Sequence, residues 1–294
     1  MRAGNVGLVG WTNVGKSTLL NRLIGEKIAA VADVAQTTRN RIVGVRTDPG
    51  EAQYVFVDTP GIHDPRHRLN RAMVRIARET LRGVDVVVQI VDAARGFGPG
   101  DRTAAAWVAQ SDVPKILALN KIDLVRPKTR LLPMLQDAVD TWRFDDAVPI
   151  SARTGDGCDR LLGCLREHLP EAEPRFPEDY LTDQSERSLV AEFVRERLLH
   201  ATREELPHSI AVLVDRWDES EEDIVRIDVS ILVERESQKP IVIGRDGGVL
   251  REVGTAARLE LERLLGRRLF LKLWVRVREG WRDDRGTLSD LGLS

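Results

Sequence analysis

Val6-Gly7-Leu8-Val9-Gly10-Trp11-Thr12-Asn13-Val14-Gly15-Lys16-Ser17-Thr18 is the stretch that decides the fold. A short apolar run ends at Gly10, and an amphipathic helical pattern opens near Gly15. Between them Gly10 to Ser17 fits the pattern G-x-x-x-x-G-K-[ST] in its required strand–loop–helix setting. Consecutive backbone N–H groups and a helix N-terminus there cradle anionic oxygens. Lys16 adds a point charge for the outer phosphates, and the Ser17 hydroxyl is a ligand for Mg²⁺.

Working outward, apolar runs at Val6–Val9, Arg41–Arg46, Gln53–Asp58, Val84–Val91, Lys115–Asn120 and Ala147–Ile150 predict strands. Helical patterns begin near Gly15, Leu69, Asp101, Lys128 and Gly157. Continuous apolar strands between helices predict an α/β fold with a mostly parallel sheet covered on both faces. Asp48-Pro49-Gly50 predicts an antiparallel hairpin, which makes the sheet mixed. Further motifs fall at carboxyl ends of strands, where open α/β sheets bind ligands. Asp58-Thr59-Pro60-Gly61 offers a carboxylate that holds Mg²⁺ through water and a glycine N–H for the γ-phosphate. Asn120-Lys121-Ile122-Asp123 offers the Asp123 carboxylate to the two donors of a guanine edge, with the Lys121 stem over the base. Ser151-Ala152 completes that pocket. The ligand expected is therefore GTP or GDP with Mg²⁺.

These residues resemble the translation-factor-like GTPases. The resemblance implies a Thr that reaches Mg²⁺ and the γ-phosphate, carried here to Thr38 in Gln36-Thr37-Thr38-Arg39, with Thr37 the neighbouring register. The catalytic set expected is Lys16, Thr38 and Gly61. A glutamine after the D-x-x-G glycine often orients the attacking water. Ile62 fills that place and offers no hydrogen bond, and His63 reads as a loop residue. Asn13, within N-x-G-K-S, is associated in related GTPases with K⁺, which neutralises charge developing between phosphates as an arginine finger does. Trp11-Thr12 departs from the Arg-Pro common in those families.

Pro170 to Pro177 carries three prolines and no periodicity, which predicts a linker over 170–182 between a nucleotide domain (1–169) and a second domain (183–285). A helix near Asp183 has a capping-box spacing to Glu186. Strands are expected at His208–Val214 and Ile224–Val233, a helix from Val249 to Gly266, a last strand at Leu269–Val277, and a C-terminal tail over 286–294. Ile243-Gly244-Arg245-Asp246-Gly247-Gly248-Val249-Leu250 resembles the signature of prokaryotic-type KH domains, in which a G-x-x-G turn brings backbone close to single-stranded RNA. Lys and Arg gather around it. Leu181 to Glu234 holds 6 basic and 14 acidic residues, a net of −8, whereas Arg235 to Arg285 holds 13 and 8, a net of +5. In the last strand Lys272, Trp274 and Arg276 share one face, aromatic between cations, as stacking and phosphate contact require. With Ile243, Gly244, Arg245, Asp246, Gly247 and Gly248 they form the expected RNA-binding set.

The 294 residues are 42% hydrophobic and 31% charged, with net charge −2, so the chain is no polycation and any nucleic-acid site is a local patch. Cys158 and Cys164, six apart on one expected helix, suit neither a zinc pair nor a disulfide framework, and fit a reducing compartment. The first strand starts almost at once, so no signal peptide is expected before it. The apolar run Val86–Val91 is too short to cross a bilayer.

Over nearly its whole length, including Gln36-Thr37-Thr38-Arg39, Asp58-Thr59-Pro60-Gly61, Asn120-Lys121-Ile122-Asp123 and Glu279-Gly280-Trp281…Leu288…Leu291-Gly292, the chain resembles the Era family of ribosome-assembly GTPases. The resemblance implies 16S ribosomal RNA near its 3′ end and the small ribosomal subunit as partners. It also implies peripheral contact with the inner membrane; a cytoplasmic monomer is the separate expectation. The reading is a GTP-hydrolysing switch. Two other classes compete: a GTPase signalling through a protein partner, and a nucleotide-gated RNA-binding module with negligible turnover.

Overall fold

The computed structural model describes residues 1–32, 37–61, 67–202 and 209–293. They divide by contact into two units. In chain order the first contains β1 (Arg2–Gly10), α1 (Lys16–Ile24), β2 (Ile42–Asp48), β3 (Ala52–Asp58), α2 (Arg68–Thr80), β4 (Val86–Asp92), α3 (Pro99–Val108), β5 (Lys115–Asn120), α4 (Leu131–Asp140), β6 (Asp146–Pro149) and α5 (Cys158–His168). Strands run in the order β2-β3-β1-β4-β5-β6. Only the β2–β3 hairpin is antiparallel among these pairs.

The apolar strands are explained by where their two faces go. Leu8, Val88, Ile90 and Ala118 pack with Leu19, Leu20 and Leu23 of α1 and Leu161 and Leu165 of α5. Their alternates Val9, Val87, Val91, Leu117 and Leu119 pack on the other face with Ala104 and Val108 of α3 and Leu131 and Ala138 of α4. Each such fully buried aliphatic side chain contributes about 1.5–3 kcal/mol of transfer free energy. Register then fixes the carboxyl ends: Leu8 sits opposite Asp58, Gly10 opposite Ile90, and Asp92 opposite Asn120.

Segment 170–182 is not an open linker: it is strapped to the first unit, whose boundary lies after Asp183. Gln53 is buried, and its side chain accepts from the Arg175 and Phe176 N–H groups (2.7 and 3.0 Å) and donates to the Phe176 carbonyl (2.8 Å). Phe176 and Tyr180 stack with centroids 4.7 Å apart and cover Val43, Val45, Val55 and Val57. Thr182 donates to the Val43 carbonyl at 2.7 Å. Prolines here shape an extended strap whose polar backbone is met by the sheet edge.

The second unit is built on α6 (Glu186–Ala201), β7 (Ala211–Glu221), β8 (Ile224–Val233), α7 (Lys239–Ile243), α8 (Gly248–Leu265), β9 (Leu269–Val277) and α9 (Arg285–Asp290). Its sheet runs β7-β8-β9, antiparallel then parallel. Ser185, not Asp183, caps α6, accepting from the Ser188 N–H at 3.2 Å. Asp183 instead pairs with Arg41 at 3.5 Å. His208, the expected start of β7, lies outside the described residues. The tail is also structured. Asp284 caps α9 through the Thr287 N–H at 2.9 Å. Leu288 and Leu293 are buried, and the buried Trp281 indole donates to the Ser209 carbonyl at 3.0 Å.

Candidate functional site

The loop between β1 and α1 curls around the Lys16 ammonium, which donates to the Gly10 carbonyl at 3.2 Å and the Trp11 carbonyl at 2.9 Å. Burial pushes its pKa down, and the charges of Asp58 and Asp101 pull it back up. A desolvated cation inside a curl of backbone is an anion site. Gly61 meets this loop from the end of β3. A Cβ there would lie 2.9 Å from Thr12 Cγ2 and 3.3 Å from Lys16 Nζ, so a larger residue would have to displace Thr12. Thr59 is tied below it, donating to the Leu8 carbonyl at 2.9 Å.

Three hard oxygens converge beside the loop. Ser17 Oγ is 2.7 Å from Thr38 Oγ1 and donates to Asp58 Oδ2 at 2.7 Å. Asp58 is fully buried, yet its Oδ1 has no hydrogen-bond partner among the described residues. An orphaned buried carboxylate oxygen beside two hydroxyls fits a small hard cation with retained waters, which is what Mg²⁺ requires. Burial raises the Asp58 carboxyl to about 6, against Lys16 and the Ser17 and Thr38 hydroxyls, which lower it. The two threonine registers separate here: Thr38 faces Ser17, while the Thr37 hydroxyl donates to the Ala32 carbonyl at 3.3 Å. Gln36, Ile62 and His63 lie outside the described residues.

At the other end of the loop Asn120 works as a brace. Its Nδ2 donates to the Val14 carbonyl at 2.8 Å and its Oδ1 accepts the Ala152 N–H at 2.9 Å. Ser151 donates to Asp123 Oδ1 at 2.7 Å, and Arg153 donates to Oδ2 at 2.6 Å. Burial pushes the Asp123 carboxyl up, but Ser151 and Arg153 together hold it below the usual range. Arg153 is 73% exposed, so this ion pair is weak and yields readily to a competing donor. Lys121 Nζ donates to the Asn13 carbonyl (2.7 Å) and to Asp92 Oδ2 (2.8 Å), which pins its stem along the loop. Ile122 is buried beneath it, and Thr18 lies in the first turn of α1.

Motif spacing does not point to Asp92 or Arg153. Asp92 carried one usable signal, a carboxylate ending a buried strand. Trp11 packs against Gly100, where a Cβ would come within 2.1 Å of its ring. Its departure from the common Arg-Pro is thus a packing feature.

In the second unit α7 ends at Ile243 and α8 starts at Gly248, with the Gly244-Arg245-Asp246-Gly247 turn between them. Gly244, Asp246 and Gly247 all have positive φ (74°, 51° and 74°). A Cβ on Gly244 would fall 2.5 Å from Val249 Cγ2. The Arg245 and Asp246 side chains are exposed and 3.9 Å apart, a weak ion pair that leaves both charges open to solvent and ligand. Lys272, Trp274 and Arg276 do not join this turn. Leu273 reaches α8 at Gly254, so its alternates on β9 stand on the opposite face of the sheet. There Lys272 lies over the Trp274 ring at 4.7 Å and Arg276 pairs with Asp215 at 3.4 Å.

The first unit is thus a P-loop GTPase domain, and the second has the helix–turn–helix on a three-stranded sheet of a KH domain. A family model described as "50S ribosome-binding GTPase" matches residues 5–121, and a KH domain model matches residues 205–282. The chain belongs to the Era family of GTPases. It is 44% identical to GTPase Era of Staphylococcus epidermidis over 291 residues, covering 99% of this chain and 97% of that protein. It is 46% identical to GTPase Era of Geobacter metallireducens over 292 residues, with the same coverage. A crystal structure of Era with MgGDPNP and nucleotides 1506–1542 of 16S ribosomal RNA superposes with TM-score 0.96 at 41% identity, covering 100% of this chain and 99% of that one. An Aquifex aeolicus Era variant bound to GDP·AlF₄⁻ matches equally, at TM-score 0.96 and 41% identity.

Proposed function

We propose that this GTPase is a switch that binds 16S ribosomal RNA near its 3′ end and assists small-subunit assembly. The observation that carries it is one chain holding both a braced phosphate loop, with Ser17, Thr38 and Asp58 converged beside it, and an exposed Gly244–Gly247 turn. The relative crystallised with both MgGDPNP and the RNA end supports joining the two. A labelled RNA of that 3′-terminal sequence, titrated with the GTP-analogue-bound chain, tests it; binding no tighter than to a scrambled strand sinks it.

In this reading Lys16 and the N–H groups of the loop from Gly10 to Thr18 hold the phosphates, while Gly61 N–H approaches the γ-phosphate. Thr59 and Pro60 fix that approach. Ser17 and Thr38 would hold Mg²⁺ directly and Asp58 would hold it through water; when bound, the ion would supply charge neutralisation at the phosphates. Asp123 takes the two guanine donors as Arg153 swings away, with Asn120, Lys121, Ile122, Ser151 and Ala152 framing the base. The Gly244–Gly247 turn, flanked by Ile243 and Gly248, takes the RNA backbone. Lys272, Trp274 and Arg276 form a separate stacking face. A monomer in the cytoplasm with peripheral contact to the inner membrane belongs to the same reading. No helix among the described residues is long and apolar enough to cross a bilayer. Flotation with anionic vesicles checks the peripheral contact.

Two results are expected from this site. With Asp58 at about 6, a proton competes with Mg²⁺. Apparent Mg²⁺ affinity should then be flat above about pH 7 and fall about tenfold by about pH 5. Calorimetric Mg²⁺ titrations of the GDP complex across that window check it; affinity constant throughout would remove Asp58 from the metal's surroundings. Second, Asn13 lies at φ 62° within the loop. We propose that K⁺ binds beside it and speeds hydrolysis. Turnover should be higher in KCl than in NaCl, and Asn13→Ala should erase the difference; equal rates in the parent chain would contradict the role.

A further inference from the structure

At the amino end of β6, away from the phosphate loop, three donor side chains from two separate elements meet. Asp146 opens the strand. Cys164 and His168 stand one turn apart on α5 and therefore on one helix face. One ligand atom from each lies within 4.8 Å of the others, and His168 Nε2 is 2.7 Å from Asp146 Oδ2. The six-residue spacing of the cysteines suits no zinc pair, and the second thiol, Cys158, does face elsewhere, toward the Ser151 carbonyl. The partners of Cys164 come from the fold instead.

We infer that Asp146, Cys164 and His168 form a site for a divalent transition-metal ion of the Zn²⁺ class. Thiolate, imidazole and carboxylate are all Zn²⁺ donors, and three protein ligands leave a fourth, tetrahedral position for water. That position has access to solvent, because the His168 and Asp146 side chains are 26% and 47% exposed. With bonds of about 2.0–2.3 Å, tetrahedral donors sit roughly 3.3–3.8 Å apart. The His168–Asp146 contact must open by about 0.6 Å, and the widest separation close by at most about 1 Å, which side-chain torsions supply. Mg²⁺ competes poorly for a set containing sulfur and imidazole. Without metal the thiol is protonated, since burial and then Asp146 push it to about 12. Metal entry therefore releases a proton. The bound ion would clip β6 to the end of α5, the two elements that bracket Ser151 and Ala152.

The test uses the tag-free full chain saturated with Mg²⁺ and GDP, titrated with Co²⁺ and then Zn²⁺. One Co²⁺ per chain should give a thiolate-to-cobalt charge-transfer band and tetrahedral ligand-field bands, both bleached by Zn²⁺. Cys164→Ser should lose the charge-transfer band, and His168→Ala and Asp146→Asn should weaken Co²⁺ binding at least tenfold. Cys158→Ser should keep the band. GDP affinity reports that each variant is folded. Absence of a thiolate band in the parent chain, or its survival in Cys164→Ser, overturns the site and leaves a plain His–Asp ion pair beside a thiol.

Discussion

Lys16→Ala is expected to abolish nucleotide binding and leave the fold intact. Lys16 is 6% exposed, and its ammonium sits within the phosphate loop. Removing one partner of a buried charge interaction costs about 2–5 kcal/mol, roughly 30- to several-thousand-fold in affinity. A second loss compounds it. Lys16 lowers the Asp58 carboxyl against burial, so its removal raises that group above about 6 and lets a proton compete with Mg²⁺ nearer neutral pH. The fold does not suffer. A lysine whose folded pKa is depressed binds its proton more weakly in the folded state, so at neutral pH its burial costs stability. The nucleotide-free melting temperature of Lys16→Ala should therefore equal or exceed that of the parent chain. Calorimetry with and without GDP checks both halves. A variant that still binds GDP with near-parent affinity would contradict the role of the loop.

Gly247→Asp should remove RNA binding and spare GTP hydrolysis. A Cβ at Gly247 meets nothing within 4 Å, so the fold has room for it. Its φ of 74° is left-handed, a region aspartate tolerates better than most residues. The effect falls on the ligand. A carboxylate about 4 Å from an RNA phosphate repels it by about 4 kcal/mol at an effective dielectric of 20, close to a thousandfold. Gly244→Ala is a different experiment, because its Cβ would press on Val249 and deform the turn itself. RNA affinity and GTP turnover measured on Gly247→Asp decide the matter; retained RNA binding would move the interface to the Lys272, Trp274 and Arg276 face.

The two predictions sit on the parts most legible in the sequence. β8 and β9 keep their expected bounds and α8 is stopped by Gly266, because apolar alternation and a left-handed glycine cap are local signals. Gly10–Ser17, Asp58 and Asn120–Asp123 were readable because each motif ends a strand, and parallel register alone gathers strand ends. What escaped depends on long-range contact. Segment 170–182 reads as a linker in the sequence because nothing local says that Gln53 will hold Phe176. Ser185 caps α6 although Asp183 had the better spacing. The Arg153 contact with Asp123 and the Asp146–Cys164–His168 cluster follow from loop path and sheet order, not from spacing. Lys272, Trp274 and Arg276 share one face of β9 by alternation, but strand alternation cannot say which face a preceding helical turn occupies.

The switch reading stands on RNA affinity that depends on nucleotide. The direct measurement is the dissociation constant for a 3′-terminal 16S RNA fragment at fixed salt, with the full chain bound to a non-hydrolysable GTP analogue and then to GDP. The account predicts binding at least tenfold tighter in the GTP-analogue state, equivalent to about 1.4 kcal/mol of coupling. Equal affinity in the two states would contradict it and reduce the chain to a GTPase and an RNA-binding domain that share a polypeptide.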